Sequence, residues 1–399
     1  MRTFMGYRRS NGTVGTRNYV VVLPTVNCVN DTAYQMCLQV PGTFPLLSSL
    51  ACAFAANDKI KAERVMKGIL KNPNVYAAVI VGVDDCEPCS AEYLAAAASD
   101  TGKKILPLSL RDYSDFDTLM KRGVDFLKAR YAETQSMKRE ECPLSDIAII
   151  TKCGGSGAIS ILSNNAAVGQ AVDMLVDEGG SAIFAETAEL LGIDKIIAAR
   201  CATPELGKRL IGIVDRLKAD IDHFGIDIMG SEPVPGNVKA GLSTIEEKSI
   251  GSVAKSGSRR IIGIQDFAEP LNSGHGLYFM DSDSPGEAVY CGGAAAGANL
   301  GVFSFPGGIP GRARSMVASV SGLQILPTVK VLGSNEYPEQ AKDADVYTGD
   351  VLSGTISINE AGERLFERII KVASGEKTFT EKYAKYYGPL NYFRNNLVL

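Results

Sequence analysis

The stretch Asp146–Gly157, DIAIITKCGGSG, predicts the centre of the fold. Ile147–Thr151 is a continuous run of apolar and β-forming residues that leads to Cys153 and a pair of glycines. A run of this length bounded by glycines indicates a buried parallel strand. Gly154 and Gly155 let a ligand approach the backbone, and the helical pattern that follows offers free N–H groups to an anion. Ligands bind at the carboxyl ends of strands in open α/β sheets, so we expect a binding site here, whose chemistry the turn alone leaves open.

Strand-like apolar runs alternate with amphipathic helical segments along the chain of 399 residues. This alternation is typical of α/β proteins, and the chain is long for a single core. The sequence therefore predicts two Rossmann-like domains with mostly parallel sheets flanked by helices. A charged stretch that ends at Cys142 and Pro143 is typical of a linker, so the predicted domains are 1–143 and 144–399.

Charge and composition limit the class of function. The formal net charge of −4 argues against a broad nucleic-acid-binding surface. No apolar run reaches the roughly 18 residues of a membrane span, and the N-terminus lacks an apolar signal region, so we expect a cytoplasmic protein. The nine cysteines are then expected as free thiols. With only two histidines, neither a histidine zinc site nor a Ser-His-Asp triad is favoured.

Several strings together resemble the altronate dehydratase and galactarate dehydratase family, in its large catalytic part. They include GYRRSNGTVGTRN (6–18), NPNVYAAVIVG (72–82), KCGGSGAIS (152–160), AETAEL (185–190) and PGNVKAGLSTIEEKSIGSVAKSG (235–257). The resemblance implies a hydro-lyase that acts on a small, acidic sugar acid and depends on a metal, usually iron. Relatives include the large subunit of sulfolactate sulfo-lyase, which expels sulfite.

The resemblance also implies partners. Single-chain family members carry an extra N-terminal domain, whereas this chain starts directly at the GYRR motif, as in the two-subunit members. We therefore expect a separate small subunit of about a hundred residues, the size of one small domain. A homo-oligomer is expected as well, with no nucleic-acid or membrane partner.

The chain departs from the family pattern at three places. SSLACA (48–53) keeps a cysteine but lacks the histidine and glycines of the family string. KCGGSG (152–157) has Lys152 and Gly157 where the family has glutamate and aspartate, and SFPGG (304–308) replaces a Thr-Thr-Gly-x-Gly string. Carboxylates are the usual bases and metal ligands of such enzymes. Their loss leaves two alternatives open, a sulfo-lyase large subunit and a catalytically lapsed binding or regulatory subunit.

Four cysteines match family positions and are the predicted metal ligands: Cys28, Cys52, Cys86 and Cys153. Three of them lie at or just after predicted strand ends, which meet at one edge of a parallel sheet. Thiolates favour zinc or iron–sulfur clusters over magnesium, and the resemblance implies iron, as Fe²⁺ or as a cluster. The alternative is core packing, because cysteine is among the most buried residue types.

The predicted catalytic residues are Lys152, Glu186 and Asp281, each near the end of a predicted strand. Lys152 could pair with an acidic group of the substrate, or act as a base if burial lowers its pKa. Removal of the α-proton by a base and stabilisation of the enediolate by amide or lysine groups would complete the elimination. The predicted substrate-binding residues are Gly154, Gly155, Ser156, Asn164, Asn237, Lys239 and Lys248. Helix capping and surface ion pairs are the alternatives for the polar ones.

Overall fold

The structure, a computed structural model, describes residues 2–50, 56–84, 89–228, 232–307, 322–335, 338–383 and 389–391. It confirms the predicted α/β class with parallel sheets flanked by helices. The strands are β1 Thr3–Arg8, β2 Val14–Gly15, β3 Tyr19–Pro24, β4 Phe44–Pro45, β5 Val75–Gly82, β6 Lys104–Ser109, β7 Glu140–Pro143, β8 Ala148–Cys153, β9 Ser181–Ala185, β10 Ile261–Gln265, β11 Leu277–Met280, β12 Leu300–Phe305, β13 Thr328–Leu332 and β14 Val346–Tyr347.

The helices are α1 Asn30–Leu38, α2 Ala56–Lys71, α3 Ala91–Ala97, α4 Phe116–Ser136, α5 Asn164–Asp177, α6 Asp194–Ala198, α7 Pro204–Phe224, α8 Pro235–Lys239, α9 Ile245–Val253, α10 Gly286–Ala296, α11 Ile358–Ala373 and α12 Phe379–Tyr383. Within the described ranges, none of these helices combines the length and hydrophobicity needed to cross a membrane.

The larger sheet has seven strands, all parallel, in the order β10-β11-β9-β8-β12-β13-β14. Its middle strand is β8, the strand predicted from the apolar run before Cys153. The chain places β9, β10 and β11 on one side of β8 and then crosses to β12 on the other side. Ligands bind at the carboxyl ends of strands where the strand order reverses in this way, which favours the turn after β8.

The segment after that turn differs from the sequence prediction, which extended one helix from the glycines. A 3-10 turn spans Ala158–Ile161, and α5 begins only at Asn164. Ser163 interrupts the helical backbone with φ −134° and ψ −91°, and its hydroxyl donates to the carbonyl of Gly333 at 3.0 Å. The N-terminus of α5 is therefore separated from the glycine turn.

The smaller parallel sheet has four strands in the order β4-β3-β5-β6. One hydrophobic cluster contains buried residues of both parallel sheets and of α2 and α10 between them. The two helices are in close contact at Gly68, where an added Cβ would lie 2.2 Å from the carbonyl oxygen of Ala295. Any larger residue at this position would force the helices apart, because protein cores are closely packed.

The third sheet, β2-β1-β7, is antiparallel, and β7 ends at the predicted boundary residue Pro143. Phe4, Val14 and Cys142 of this sheet pack into a cluster with residues of the seven-stranded sheet. The N-terminal strand thus contributes to the core of the C-terminal half. The division into 1–143 and 144–399 stays a prediction.

A fully buried asparagine, Asn74, joins the two halves through its side-chain amide. Its Oδ1 accepts hydrogen bonds from the backbone N–H groups of Thr16 at 2.8 Å and Arg17 at 3.2 Å. Its Nδ2 donates to the carbonyls of Asn299 and Ile325, both at 2.8 Å. Four buried backbone groups thus depend on one amide, which fixes the smaller sheet against the larger one.

We expect Asn74→Ala to lower the free energy of unfolding by at least about 3 kcal/mol, because several buried backbone groups lose their partners. Asn11→Ala is the matched control, since Asn11 is exposed and, among the described residues, its side chain bonds only with Thr13 of its own turn. The control substitution should lower the free energy of unfolding by less than about 1 kcal/mol. Urea denaturation of both variants measures the difference, and equal losses would contradict the role of Asn74.

Lys330 on β13 is a fully buried lysine away from the glycine turn. Its Nζ lies 4.7 Å from the centroid of the Phe303 ring. Burial lowers the pKa of Lys330 from 10.5 to about 7, against the opposing effect of Asp345. In the unfolded chain this lysine binds its proton up to its ordinary pKa, so above pH 7 the unfolded state holds more protons than the folded state.

The free energy of unfolding should therefore rise with pH between about pH 7 and 10, by up to about 1.4 kcal/mol per unit from this group. Lys330→Met removes the titrating group, so its stability should lack this contribution. Denaturation curves of both proteins at several pH values give the comparison. Parallel pH dependences would show that Lys330 keeps an ordinary pKa in the folded state.

Candidate active site

A cavity of about 480 Å³ lies at the carboxyl edge of the seven-stranded sheet. Its wall contains the turn Cys153–Gly157 after β8, Glu186 and Glu189 after β9, and residues that follow β12 and β13. Helix α8 and the residues after it form another part of the wall. The cavity therefore occupies the position that the reversal of strand order predicts.

Nine of the residues proposed from the sequence line this cavity: Lys152, Cys153, Gly154, Gly155, Ser156, Glu186, Asn237, Lys239 and Lys248. Three other predicted site residues lie within the described ranges but do not line the cavity. Asn164 is fully buried and donates to Ser304 Oγ at 2.7 Å, and the carboxylate of Asp281 is engaged elsewhere. Cys28 is exposed in the 3-10 turn after β3, in the smaller sheet. Cys52 and Cys86 lie outside the described residues.

Five ionisable side chains meet at the base of the cavity, and we call them the charge cluster: Lys152, Cys153, Glu186, Glu189 and Lys255. All five are buried, and only Lys255 does not line the cavity itself. Lys152 Nζ donates to Glu186 Oε2 at 2.8 Å. Lys255 Nζ donates to Glu189 Oε2 and lies 3.5 Å from Glu186 Oε1. The two ammonium groups thus compensate the two buried carboxylates, as buried charges require.

Glu189 and Lys255 were not predicted as site residues. Glu189 lies three positions after Glu186 in a 3-10 turn, where side chains at i and i+3 share one side. The second acidic residue in the string AETAEL was therefore an available signal. Lys255 follows the amphipathic helix α9 and has no local feature that separates it from a surface lysine. Only the tertiary fold buries it.

The cluster shifts the proton affinities of its members. Burial is the largest single effect and lowers the pKa of Lys152, but Glu186, Cys153 and Glu189 together outweigh it, so the pKa lies above its ordinary value. Lys152 therefore stays protonated, which favours its pairing with an anion over the role of base. Burial and the nearby Glu189 raise the pKa of Glu186, which makes it a stronger base than a surface carboxylate. Burial also raises the pKa of the Cys153 thiol.

Cys153, Glu186 and Glu189 form a group that could hold a metal ion, because one donor atom from each lies within 4.8 Å of the others. Glu186 Oε1 is buried and has no hydrogen-bond partner among the described residues, as expected of an oxygen reserved for a ligand. One sulfur and two carboxylate donors suit a divalent first-row ion. The donor set thus fits a metal, and it includes one of the four predicted cysteines.

The backbone of Glu186 is strained. Its φ of 78° and ψ of 85° are rare for a residue other than glycine. Its N–H donates to Ser282 Oγ at 3.1 Å, and the N–H of Thr187 donates to the Ser282 carbonyl at 2.9 Å. Asp281 accepts from Thr187 Oγ1 at 2.6 Å and pairs with Arg216. Such strain costs about 1–3 kcal/mol and persists where surrounding contacts impose it. The contacts of Asp281 support the Glu186 backbone from outside the cavity.

Ser282→Ala should lower the free energy of unfolding by about 1–3 kcal/mol, because the buried N–H of Glu186 loses its acceptor. Ser252→Ala is a matched control, since Ser252 is equally buried but its Oγ has no partner in the part of the chain that the structure describes. That variant should be neutral or slightly stabilised. Chemical denaturation gives both values, and an equal effect would contradict the role of Ser282.

A second feature of the cavity suits an anion. The backbone N–H groups of Gly155 and Ser156 have no acceptor among the described residues, and Gly155 has a φ of 62°. Successive free N–H groups in such a turn form an anion-binding concavity. Asn237 Nδ2 donates to the Ser156 carbonyl at 2.8 Å and ties α8 to this turn.

Lys239 is exposed at the cavity wall and, within the described ranges, has no carboxylate partner. Lys248, in contrast, pairs with Glu232.

Comparisons with known proteins agree over nearly the whole chain. A family model described as D-galactarate dehydratase/altronate hydrolase, second domain, matches residues 6–135. A second, described as D-galactarate/altronate dehydratase, C-terminal, matches residues 144–391.

Three curated relatives are similar over most of their length. The (2R)-sulfolactate sulfo-lyase subunit beta of Chromohalobacter salexigens is 34% identical over 95% of this chain and 95% of its own. The altronate dehydratase of Bacillus subtilis is 28% identical over 96% of this chain and 76% of its own. The galactarate dehydratase (L-threo-forming) of Escherichia coli is 29% identical over 96% of this chain and 75% of its own.

Proposed function

The chain belongs to the D-galactarate/altronate dehydratase family, and we propose that it is a metal-dependent hydro-lyase that eliminates water from a small sugar acid or hydroxy acid. Its relatives include two dehydratases, which are carbon–oxygen lyases, and a sulfo-lyase subunit, so the chain is a lyase; the bond that it breaks, its substrate class and its metal dependence are inferred. The observation that carries the proposal is the charge cluster, which lies beside an anion-binding turn in a single cavity. A lapsed binding subunit would not need a strained, buried carboxylate there.

Substrate binding uses the turn after β8. The carboxylate of the substrate binds to the free N–H groups of Gly155 and Ser156, and Lys239 adds a positive charge at the wall. An added Cβ at position 155 would meet no protein atom within 4 Å, so the space beside this glycine is open to a ligand. The α-carbon is thereby brought towards the charge cluster.

Proton transfer is assigned to Glu186. Its raised pKa suits removal of the α-proton, and its Oε1 accepts no hydrogen bond from the described residues. Lys152, protonated and 2.8 Å from Glu186 Oε2, orients that carboxylate and stabilises the negative charge of the enediolate. A divalent cation held by Cys153 and Glu189 would supply Lewis-acid activation of the leaving hydroxyl. Glu186 Oε1 cannot bind the ion and accept the α-proton at the same time. Glu186 can therefore act as the base only if Cys153 and Glu189 bind the ion without it.

A sulfo-lyase acting on a sulfonated hydroxy acid is the second candidate. The similarity to the sulfo-lyase subunit beta extends over 95% of both chains, whereas the two dehydratases are longer than this chain. Sulfite leaves as an anion, so its departure depends on a nearby cation more than on proton donation. Lys152 and Lys239, both at the cavity wall, supply such charges.

The name of that relative, subunit beta, also supports the expected partner. We infer that the chain acts with a separate small subunit of about a hundred residues, comparable to one small domain. Iron as the metal and a homo-oligomeric assembly belong to the same proposal.

The test incubates protein purified from its own organism, so that any partner subunit stays bound, with Fe²⁺ or Mn²⁺ and candidate acids. Altronate or galactarate should yield a 2-keto acid without sulfite if the first candidate is right. Sulfolactate should yield sulfite together with pyruvate if the second is right. The absence of both products under anaerobic, metal-loaded conditions would contradict both candidates.

Glu186→Gln should lower kcat by about 10²–10⁴-fold with the accepted substrate, because the neutral amide cannot take the α-proton. Glu246→Gln is the control, since Glu246 is exposed on α9 and does not line the cavity. Steady-state kinetics of both variants, with their thermal unfolding measured in parallel, separate loss of the base from loss of folding. Full activity in Glu186→Gln would exclude Glu186 as the base.

A further inference from the structure

Lys255 contacts every side chain that offers a donor to the candidate metal. Its Nζ donates to Glu189 Oε2, lies 3.5 Å from Glu186 Oε1 and lies 3.4 Å from Cys153 Sγ. These three side chains are the ones whose donor atoms lie within 4.8 Å of one another. The ammonium group is therefore among the metal donors, where a bound ion would be.

We propose that the charge cluster is a cation site with two alternative occupants, the ammonium group of Lys255 and a divalent metal ion. An ion bound to Glu189 and Cys153 would lie beside the ammonium in a buried, weakly polarisable environment, where like charges repel strongly. The two cations therefore exclude each other. This inference rests on the proposed function only through the shared ligands, and it concerns metal affinity rather than turnover.

The exchange between occupants is a movement of the Lys255 side chain. Its backbone lies in the 3-10 turn Ala254–Ser256, which is packed tightly on α5. An added Cβ at Gly169 of α5 would lie 2.2 Å from the carbonyl oxygen of Ala254. The hydroxyl of Ser256 also accepts a hydrogen bond from Arg200 at 2.9 Å. Because the backbone is fixed on two sides, the ammonium leaves its ligands only by a rotamer change, whose cost lowers the metal affinity of the native chain.

The net charge of the cluster also supports two alternative occupants. With Lys255 in place, Lys152 and Lys255 compensate Glu186 and Glu189. Without the Lys255 ammonium, two carboxylates and a thiol share one remaining lysine, which leaves the site with an unbalanced negative charge. A divalent cation that binds with loss of the Cys153 thiol proton restores neutrality, which water in a buried site cannot do. Removal of the charge of Lys255 should therefore create a stronger metal site from ligands already present.

The test compares Mn²⁺ binding to the wild type, Lys255→Met and Lys255→Gln, by calorimetry and by electron paramagnetic resonance of the bound ion. Both variants should bind one Mn²⁺ at least roughly tenfold more tightly than the wild type, a gain of about 1.4 kcal/mol. Lys330→Met is the matched control, because it removes another buried lysine of the same sheet without touching the cluster, and its Mn²⁺ affinity should equal that of the wild type.

A further substitution identifies the ligands. Addition of Glu189→Gln to either Lys255 variant should abolish the gained affinity. Equal Mn²⁺ affinity of the wild type and both folded Lys255 variants would overturn the inference, and so would a gained site that survives Glu189→Gln. Retention of lyase activity by the wild type after chelation would contradict the metal dependence of the proposed reaction, while the competition measured here would stand.

Discussion

The mutual neutralisation of buried charges in the cluster is the constraint on which the candidate site depends. Removal of a carboxylate or an ammonium from water costs several kcal/mol, and a buried ion pair seldom repays more than this cost. Glu186 and Glu189 could not remain ionised in this interior without Lys152 and Lys255. Stability alone does not explain four such side chains at one strand edge, since apolar residues would fill the space at least as well. Their presence therefore supports the chemistry that we propose at the cavity.

The sheet supplies the geometry that brings these charges together. Lys152 is next to last in β8, and Glu186 directly follows β9, the neighbouring parallel strand. The pairing of these parallel strands therefore fixes the distance between the backbones of Lys152 and Glu186, whatever their side chains are. The contacts of Ser282 after β11 then impose the left-handed backbone of Glu186. The strain at Glu186 is thus supported by three adjacent strands, and the rigidity of the sheet holds the carboxylate in one orientation.

The sequence was sufficient for features that depend on local pattern. The apolar run ending at Cys153 predicted β8, and the glycines after it predicted the cavity wall. Features set by tertiary packing were not predictable in this way. Lys255 follows an ordinary amphipathic helix, and only its packing against α5 makes it a buried charge.

The cysteines illustrate the same limit. The prediction that they share one sheet edge required one sheet, but Cys28 follows β3 of the smaller sheet while Cys153 ends β8 of the larger. Asp281 shows the limit for side-chain direction: its position after β11 was suggestive, yet its carboxylate bonds with Thr187 and Arg216. A strand end fixes where a residue lies, but not which neighbours its side chain meets.

The two carboxylates missing from the glycine turn have different physical replacements. At position 152 a lysine compensates Glu186 directly. At position 157, an added Cβ would lie 2.9 Å from the Cβ of Ala240 and 3.0 Å from its carbonyl oxygen, which also accepts a hydrogen bond from Ala158. The residues after α8 therefore occupy the space that an aspartate would need. Relative to the family pattern, the first change makes the net charge of the turn more positive by two units and the second by one. A cavity altered in this direction is better suited to a substrate with two anionic groups than to a monocarboxylate, which supports a sulfonated hydroxy acid or a dicarboxylic sugar acid over altronate.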